Sequence, residues 1–316
     1  MSTETTMRAI RQHSLGGSEV LELVEAPRPT PMPTEVLVRT VAAGVNPVDW
    51  KVRARGGFLG EPPFTVGWDV AGVVEETGYG VTRFSVGDRV FGMPRFPREA
   101  AAYAEYVTSP SRQLAGIPDG LDDEEAGALP LAGLTAWQAL VETADVRPGQ
   151  RVLVLAAAGG VGHLAVQIAK ARGAYVFGTA RAEKHAFLSE LGVDEPIDYT
   201  RESVAERAPD VDVVLDLVGG ETGLDAFPAV RDGGVFVSVP SSAGLEALHE
   251  LADGRVRVTG ILVEPDRAGL EALAELASAG ALRPHVSHTF PLAEAGRAHE
   301  LGETGRTQGK LVLALG

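Results

Sequence analysis

Residues 151–173 read RVLVLAAAGGVGHLAVQIAKARG, and this stretch decides the fold of the second half of the chain. Arg151 to Leu155 is a run of β-branched and aliphatic residues of strand length. Ala156-Ala157-Ala158-Gly159-Gly160-Val161-Gly162 follows as a turn of small residues. His163 to Gly173 then places apolar side chains at helical spacing. A strand that turns through glycines directly into a helix brings free backbone N–H groups and the positive end of the helix dipole to one point. That arrangement holds a pyrophosphate. Ala158, Gly159, Gly160, Val161 and Gly162 are therefore candidate cofactor contacts, on the strength of strand, turn and helix occurring in order.

The next strand, AYVFGT, shows which dinucleotide is expected. Enzymes that use NAD place Asp or Glu near the end of this strand to hold the ribose hydroxyls. Here the chain reads Thr179-Ala180-Arg181-Ala182-Glu183-Lys184, with no carboxylate at position 180 and two cations just beyond. Arg181 and Lys184 suit a 2′-phosphate, so NADPH is the expected cofactor. Thr179, Leu217, Val218, Gly219, Val239 and Pro240, at or beyond the ends of successive strands, are further candidates in this half.

Outward from this motif, VDVVLDLVG, GGVFVSV and RVRVTGILV continue the alternation of strands with helical segments, which predicts a doubly wound parallel sheet. Residues 1–125 differ. EVLVRTV, DVAGVVEET, DRVFGM and YAEYV are short strands separated by Gly, Pro and Asp, the pattern of an antiparallel barrel. DDEEAGALPLAGLTAWQALVETADV is expected to be helical and to join the two, and the closing HTFPLAEAGRAHELGETGRTQGKLVLALG reads strand, helix, strand returning to the barrel. The predicted division is 1–125 with 285–316, and 126–284.

Composition narrows the function. A length of 316 residues exceeds one usual domain, and 45% hydrophobic content supplies cores for two. The absence of cysteine removes thiolate nucleophiles, disulfides and cysteine-ligated zinc. A formal charge of −15 disfavours nucleic acid. No stretch has the apolar length of a membrane span and the first residues lack a secretory core, so a cytoplasmic protein with no membrane partner is expected. There is no GxSxG turn for a serine nucleophile, and no Tyr with Lys four residues later, the pair a short-chain reductase would carry. The seven histidines are scattered. His285 and His288, the pair closest in sequence, read as surface or packing residues, and none of the seven is assigned chemistry.

Gly44-Val45-Asn46-Pro47-Val48-Asp49, Gly67-Trp68-Asp69-Val70-Ala71-Gly72, Gly87-Asp88-Arg89-Val90, Leu134-Thr135-Ala136, the glycine turn and Gly309-Lys310-Leu311-Val312-Leu313 occur in the order found in the medium-chain dehydrogenase/reductase superfamily. The chain resembles its zinc-free quinone oxidoreductase branch, which is similar to zeta-crystallin. The resemblance runs over essentially the whole length. It implies a GroES-like antiparallel β-barrel beside a Rossmann sheet, a homodimer joined through edge strands near RVRVTGILV, and hydride transfer from NADPH to a quinone or an α,β-unsaturated carbonyl. It places Asn46, Asp49 and Thr135 at the nicotinamide end and Tyr199 beside the 2′-phosphate. Zinc alcohol dehydrogenases of the superfamily have Cys where this chain has Asn46 and His where it has Trp68, so no metal is expected.

For the barrel residues, local sequence supports a second role as well: Asn before Pro is a turn residue, and Asp49 can cap the helical turn toward Lys51. Asn46, Asp49 and Lys51 are the candidate catalytic residues, with Tyr103 a further proton donor by residue type. Trp50, Phe58, Phe64 and Tyr103, and also Phe96, are candidates to line the substrate pocket, each with packing as the competing role. Two other functions are compatible with these motifs: an enoyl-thioester reductase, and a non-catalytic NADPH-binding sensor or structural protein.

Overall fold

The computed structural model describes residues 5–240 and 244–315, and its chain divides into two compact units, Met1–Leu134 with Glu264–Gly316 and Thr135–Val263. The first four residues of the segment read for a secretory core lie outside the described residues.

In the first unit, β1 (Thr6–Arg11) and β2 (Glu22–Pro27) form an antiparallel ribbon. The organising strand is β3 (Glu35–Val45), whose eleven residues pair with three neighbours. Its start runs antiparallel to β6 (Tyr106–Pro110), its middle to β4 (Val70–Thr77) and its end to β15 (Lys310–Ala314). Register shifts at Leu37/Val38 and Thr40/Ala42 let one strand serve all three. The sheet continues through β5 (Arg89–Gly92) to β7 (Leu114–Gly116) and, beyond β15, to β14 (Val286–Pro291). Val36 and Val38 of β3 turn the same way and pack with Val70, Val74, Val90, Val107 and Leu114. One pair departs from the antiparallel expectation: β14 and β15 are parallel, joined through α10 (Ala295–Glu303). That is the predicted strand, helix, strand ending, and a helix between two strands imposes the parallel direction.

Helix α1 (Pro47–Arg55) follows β3 directly. The joining segment predicted as one helical stretch is two α-helices, α2 (Asp123–Ala128) and α3 (Pro130–Trp137), the second running on as a π-helical turn over Gln138–Thr143. Leu129 keeps helical angles, φ −86° and ψ −40°, so the run is interrupted because Pro130 has no N–H to donate back to Ala126; Pro130 then opens α3 as its first residue. Asp122 and Glu125 cap α2 reciprocally, each accepting the other's N–H. Both unit boundaries fall elsewhere than the sequence places them. α2 packs on β3, β4 and β15, while α9 (Arg267–Ser278) packs on β7, with Leu273 against Gly133. Apolar burial therefore keeps α2 and α9 with the first sheet.

The second unit is a six-stranded parallel sheet. Its strands are β8 (Arg151–Val154), β9 (Tyr175–Ala180), β10 (Glu195–Asp198), β11 (Val211–Asp216), β12 (Val230–Ser238) and β13 (Arg257–Gly260). The spatial order β10-β9-β8-β11-β12-β13 reverses beside β8, as in dinucleotide-binding sheets. α4 (Gly162–Ala171), α5 (His185–Glu190), α6 (Val204–Arg207), α7 (Gly220–Ala226) and α8 (Leu245–Ala252) connect the strands. Leu153, Phe177, Val214 and Phe236, from four adjacent strands, share one buried cluster with Leu248 of α8.

Candidate functional site

The candidate cofactor residues of the second unit lie at the carboxyl ends of its strands, beside the reversal in strand order. The loop after β8 is held to β9 by Thr179, whose hydroxyl accepts from Ala156 N–H at 3.0 Å and whose carbonyl accepts from Ala157 N–H at 3.0 Å. Thr179 thus shapes the loop. Gly159 closes the turn onto the Ala156 carbonyl at 2.9 Å, and Ala158 is buried while Gly160 and Val161 are part-exposed. A Cβ at Gly162 would lie 2.2 Å from the Ala156 oxygen, so only glycine lets α4 begin this close to the turn.

Arg181 and Tyr199, from the ends of β9 and β10, are joined by Nε to the Tyr hydroxyl at 3.4 Å. Partial burial and the nearby Arg181 charge lower the Lys184 pKa, against the opposing effect of Glu183. Two cations are gathered there with a phenol between strand ends. The neighbouring carboxylate, Asp198, is turned to its own loop, accepting from Thr200 N–H and hydroxyl at 3.1 and 2.7 Å.

Sequence reasoning selected Leu217, Val218 and Gly219 but missed the residue that sets them. Asp216, fully buried at the end of β11, accepts from Val218 and Gly219 N–H at 2.9 and 2.8 Å and from the Ser238 hydroxyl at 3.1 Å. Val239 N–H donates to the Asp216 carbonyl at 3.0 Å, bringing Val239 and Pro240 alongside Gly219. An acid ending a strand before two turn residues was the available signal. Thr135 is buried on α3.

In the first unit, Asn46 precedes α1 and is buried, as is Asp49 one turn on. Asp49 Oδ2 accepts from Asn46 N–H at 2.6 Å, capping the helix as its sequence allowed. The Asn46 amide is engaged at both ends: Nδ2 donates to Asp69 at 2.8 Å and Oδ1 accepts from Lys310 Nζ at 2.5 Å. Lys310 also donates to the Val45 carbonyl at 3.0 Å and stands 3.6 Å from Asp69. Asp69 in turn accepts from Leu131 N–H at the start of α3 at 2.7 Å, where a carboxylate is favoured by the helix dipole. Burial opposes charge on both members of this pair, raising Asp69 and lowering Lys310, and their mutual attraction opposes that effect.

Asp49 leads onward. Tyr103, fully buried, donates to Asp49 Oδ2 at 3.0 Å and lies 3.1 Å from His299 Nε2. His299 Nδ1 accepts from Arg53 at 3.2 Å, and Arg53 pairs with the part-exposed Glu303 at 2.7 Å. Burial raises the Asp49 carboxyl to about 7, assisted by Asp69 and opposed by Asn46 N–H, Lys310 and Tyr103. Burial and the Asp49 charge push Tyr103 well above its usual range. Gly67 makes room for this arrangement. Its φ is +98° and a Cβ there would lie 2.3 Å from the Tyr103 ring.

Several candidates take other roles. Lys51, two residues from Asp49 on α1 and so on another face of the helix, is exposed and takes no part in this cluster. Trp50 packs edge-on against His299, with ring centres 6.1 Å apart, and over Gly302, which commits it to the α1–α10 contact. Phe64 is core, its backbone bonded to Gln12. Phe58 alone of the four pocket candidates is exposed, at the end of an edge-to-face series through Phe96 to Trp68. The Trp68 indole donates to the Arg98 carbonyl at 2.7 Å. Lys310, Asp69, Arg53 and His299 are the residues sequence reasoning did not select. Asp69 and Lys310 stood inside quoted motifs, but their partners are remote in the chain.

Comparison with known proteins agrees with this architecture. Residues 32–119 match the model of the alcohol dehydrogenase GroES-like domain, and 191–313 that of the zinc-binding dehydrogenases. A Mus musculus quinone oxidoreductase is 33% identical over 98% of both chains. A 2-haloacrylate reductase of a Burkholderia species is 34% identical over 95% of this chain and 97% of its own. The crystal structure of Escherichia coli quinone oxidoreductase complexed with NADPH is 31% identical, with a TM-score of 0.88 over 98% of this chain and 100% of that one. Fold and relatives together define a medium-chain dehydrogenase/reductase. Within that superfamily the chain belongs to the zinc-free quinone oxidoreductase branch.

Proposed function

We propose that the protein reduces quinones with NADPH, and that activated carbon–carbon double bonds are a second class of acceptor. The observation that carries the cofactor choice is the pairing of Arg181 with Tyr199, beside Lys184, where an NAD enzyme would present a carboxylate. The residues fit such a dinucleotide. A turn closed so tightly that no Cβ is tolerated at Gly162 brings N–H groups and the start of α4 to a pyrophosphate. Arg181 and Lys184 neutralise the 2′-phosphate, and the loop that Asp216 ties down, Leu217 to Gly219, borders the cofactor with Val239 and Pro240.

NADPH supplies the hydride when bound. The protein's own contribution is to orient, exclude water and hold a proton. Thr135, Asn46 and Asp49 serve the nicotinamide end, with Asn46 fixed by Asp69 and Lys310. Phe58 supplies apolar contact to the acceptor. The double-bond reading is favoured by the 2-haloacrylate reductase relative.

The same reading includes a cytoplasmic location, consistent with no helix among the described residues being long and apolar enough to cross a membrane. It also includes a homodimer formed along β13, the strand at one edge of its sheet. Light scattering at micromolar concentration tests the dimer, and a monomer would reject it.

The function is tested by mixing the protein with NADPH or NADH and 1,4-benzoquinone, then with a simple enone, and following reduced-nicotinamide absorbance. Turnover with kcat/KM about tenfold or more in favour of NADPH is expected, the size of one good charged hydrogen bond. Preference for NADH would overturn the role given to Arg181 and Lys184, and activity on neither acceptor would overturn the reductase reading.

A further inference from the structure

His299 is buried on α10 and makes two hydrogen bonds of opposite kind. Its Nδ1 is 3.2 Å from Arg53 Nη1 and its Nε2 is 3.1 Å from the Tyr103 hydroxyl. A guanidinium can only donate, so Nδ1 accepts and the single proton of the neutral ring sits on Nε2. Burial, with the adjacent Arg53 charge, keeps the ring neutral by moving its pKa down to about 3. Nε2–H therefore donates to Tyr103, and the Tyr103 proton goes to Asp49 Oδ2 at 3.0 Å. Oδ2 has a second donor in Asn46 N–H, whereas Oδ1 is buried without a hydrogen-bond partner among the described residues. Each proton from Arg53 to Asp49 thus points the same way.

We propose that His299 is a positioning residue: fixed in one tautomer by Arg53, it turns Tyr103 onto Oδ2 of Asp49 and so assigns the proton of the neutral carboxyl to Oδ1, from which it reaches the reduced substrate. This rests on the quinone reductase reading. Addition of hydride to a quinone leaves a hydroquinone monoanion. The Oδ1–H bond then breaks, its proton goes to the anionic oxygen and its electron pair stays on Asp49, which recovers a proton from solvent. Asp49 is enclosed, so the transfer requires Oδ1 to come within reach of water or of the acceptor itself.

The groups that set this proton come from every element around it. Asp69, just before β4, raises the Asp49 pKa, while Lys310 on β15 and Tyr103, between β5 and β6, lower it. Arg53 on α1 acts across His299, with Glu303 of α10 behind it. A carboxyl near 7 is balanced between holding and releasing its proton at neutral pH.

The test is the pH profile of kcat/KM for benzoquinone with NADPH in the wild type, His299→Leu, His299→Gln and Asp49→Asn. A second readout is infrared titration of the protonated-carboxyl band that Asp49→Asn removes. The wild type is expected to lose activity above about pH 7. His299→Leu takes away the donor to the Tyr103 oxygen and so weakens the Tyr103 hydrogen bond that stabilises a charged Asp49. It should raise that limb by about one pH unit and lower the plateau about tenfold, with the infrared band shifting in parallel. His299→Gln, which returns an N–H donor to Tyr103, should restore the wild-type limb. A purely packing role would lower the melting temperature of His299→Leu and leave limb and band in place, which would overturn the proposal. So would a wild-type limb persisting in Asp49→Asn. If the wild type reduces no quinone, the reductase reading falls by itself, because the infrared arm still decides whether His299 sets the Asp49 proton.

Discussion

Lys310 and Asp69 face each other with almost no water around either, and such a pair is far more costly to break than to lack. Lys310→Met leaves Asp69 buried with its charge uncompensated and Asn46 Oδ1 without its donor. A loss of about 3–5 kcal/mol is expected, read from urea unfolding at pH 7. The pH dependence of stability carries two opposing signs. His299 titrates lower in the folded chain, at about 3 against 6.5, so its contribution is present above 6.5 and is lost as pH falls toward 3. Asp49 titrates higher when folded, at about 7 against 3.8, so its contribution is present below 3.8 and is lost as pH rises toward 7. His299→Gln should therefore flatten the acid side of a plot of melting temperature against pH and leave the slope between 3.8 and 7 from Asp49 in place. An unchanged acid limb would contradict the buried, neutral His299. At this scale the sequence was only partly legible. Asn46 and Asp49 were readable from turn and capping chemistry, but Lys310 meets Asn46 across 264 residues and His299 meets Arg53 across 246. No local pattern can signal a contact made by closure of the fold.

Among the elements, the strand, turn and helix from Arg151 to Gly173 were the most legible, because their conformation depends on neighbours in sequence. Gly162 shows why the motif tolerates so little change. Gly162→Ala sets a methyl 2.2 Å from a backbone oxygen that has no rotamer to yield, so α4 or the turn must move. A destabilisation of about 1–3 kcal/mol is expected, together with a rise in the Kd for NADPH of about tenfold or more, by calorimetry. Retention of full affinity would show that the turn does not hold the pyrophosphate. The break between α2 and α3 could have been read from Pro130, whose missing N–H is a local property of the chain. The parallel pairing of β14 with β15 followed from the strand, helix, strand ending, though β-patterning in the first half suggested only antiparallel partners.

For the molecule as a whole, cofactor choice is an electrostatic property of one sheet edge within a chain of net charge −15. Replacing both Arg181 and Lys184 by Ala should cost NADPH about 2–4 kcal/mol of binding and leave NADH nearly unchanged, so that the kcat/KM ratio collapses toward unity. Equal losses for both cofactors would place these side chains in folding instead. The two-unit plan was legible because six motifs occurred in order and strand periodicity changed near the middle of the chain. The exact borders were not. α2 and α9 go with the first sheet through contacts made by Leu273, Gly133 and the strands beneath α2. The spacing of apolar residues along a helix tells that one face is buried, and leaves open which sheet that face will cover.

The discontinuity of the first unit has a consequence for synthesis. β3 emerges from the ribosome with β4 and β6 soon after it, but its last neighbour, β15, follows only when the entire second unit has been translated. Until then the end of β3 has an unpaired edge from Ala42 to Val45, and Asn46 and Asp69 lack their ammonium partner. The second unit, contiguous in sequence, can fold while the chain is still growing. The first must wait for its final strand, so the same five residues that close the sheet also complete the charge balance of the buried site. A nascent chain arrested before Lys310 should be a preferred substrate for chaperones and proteases.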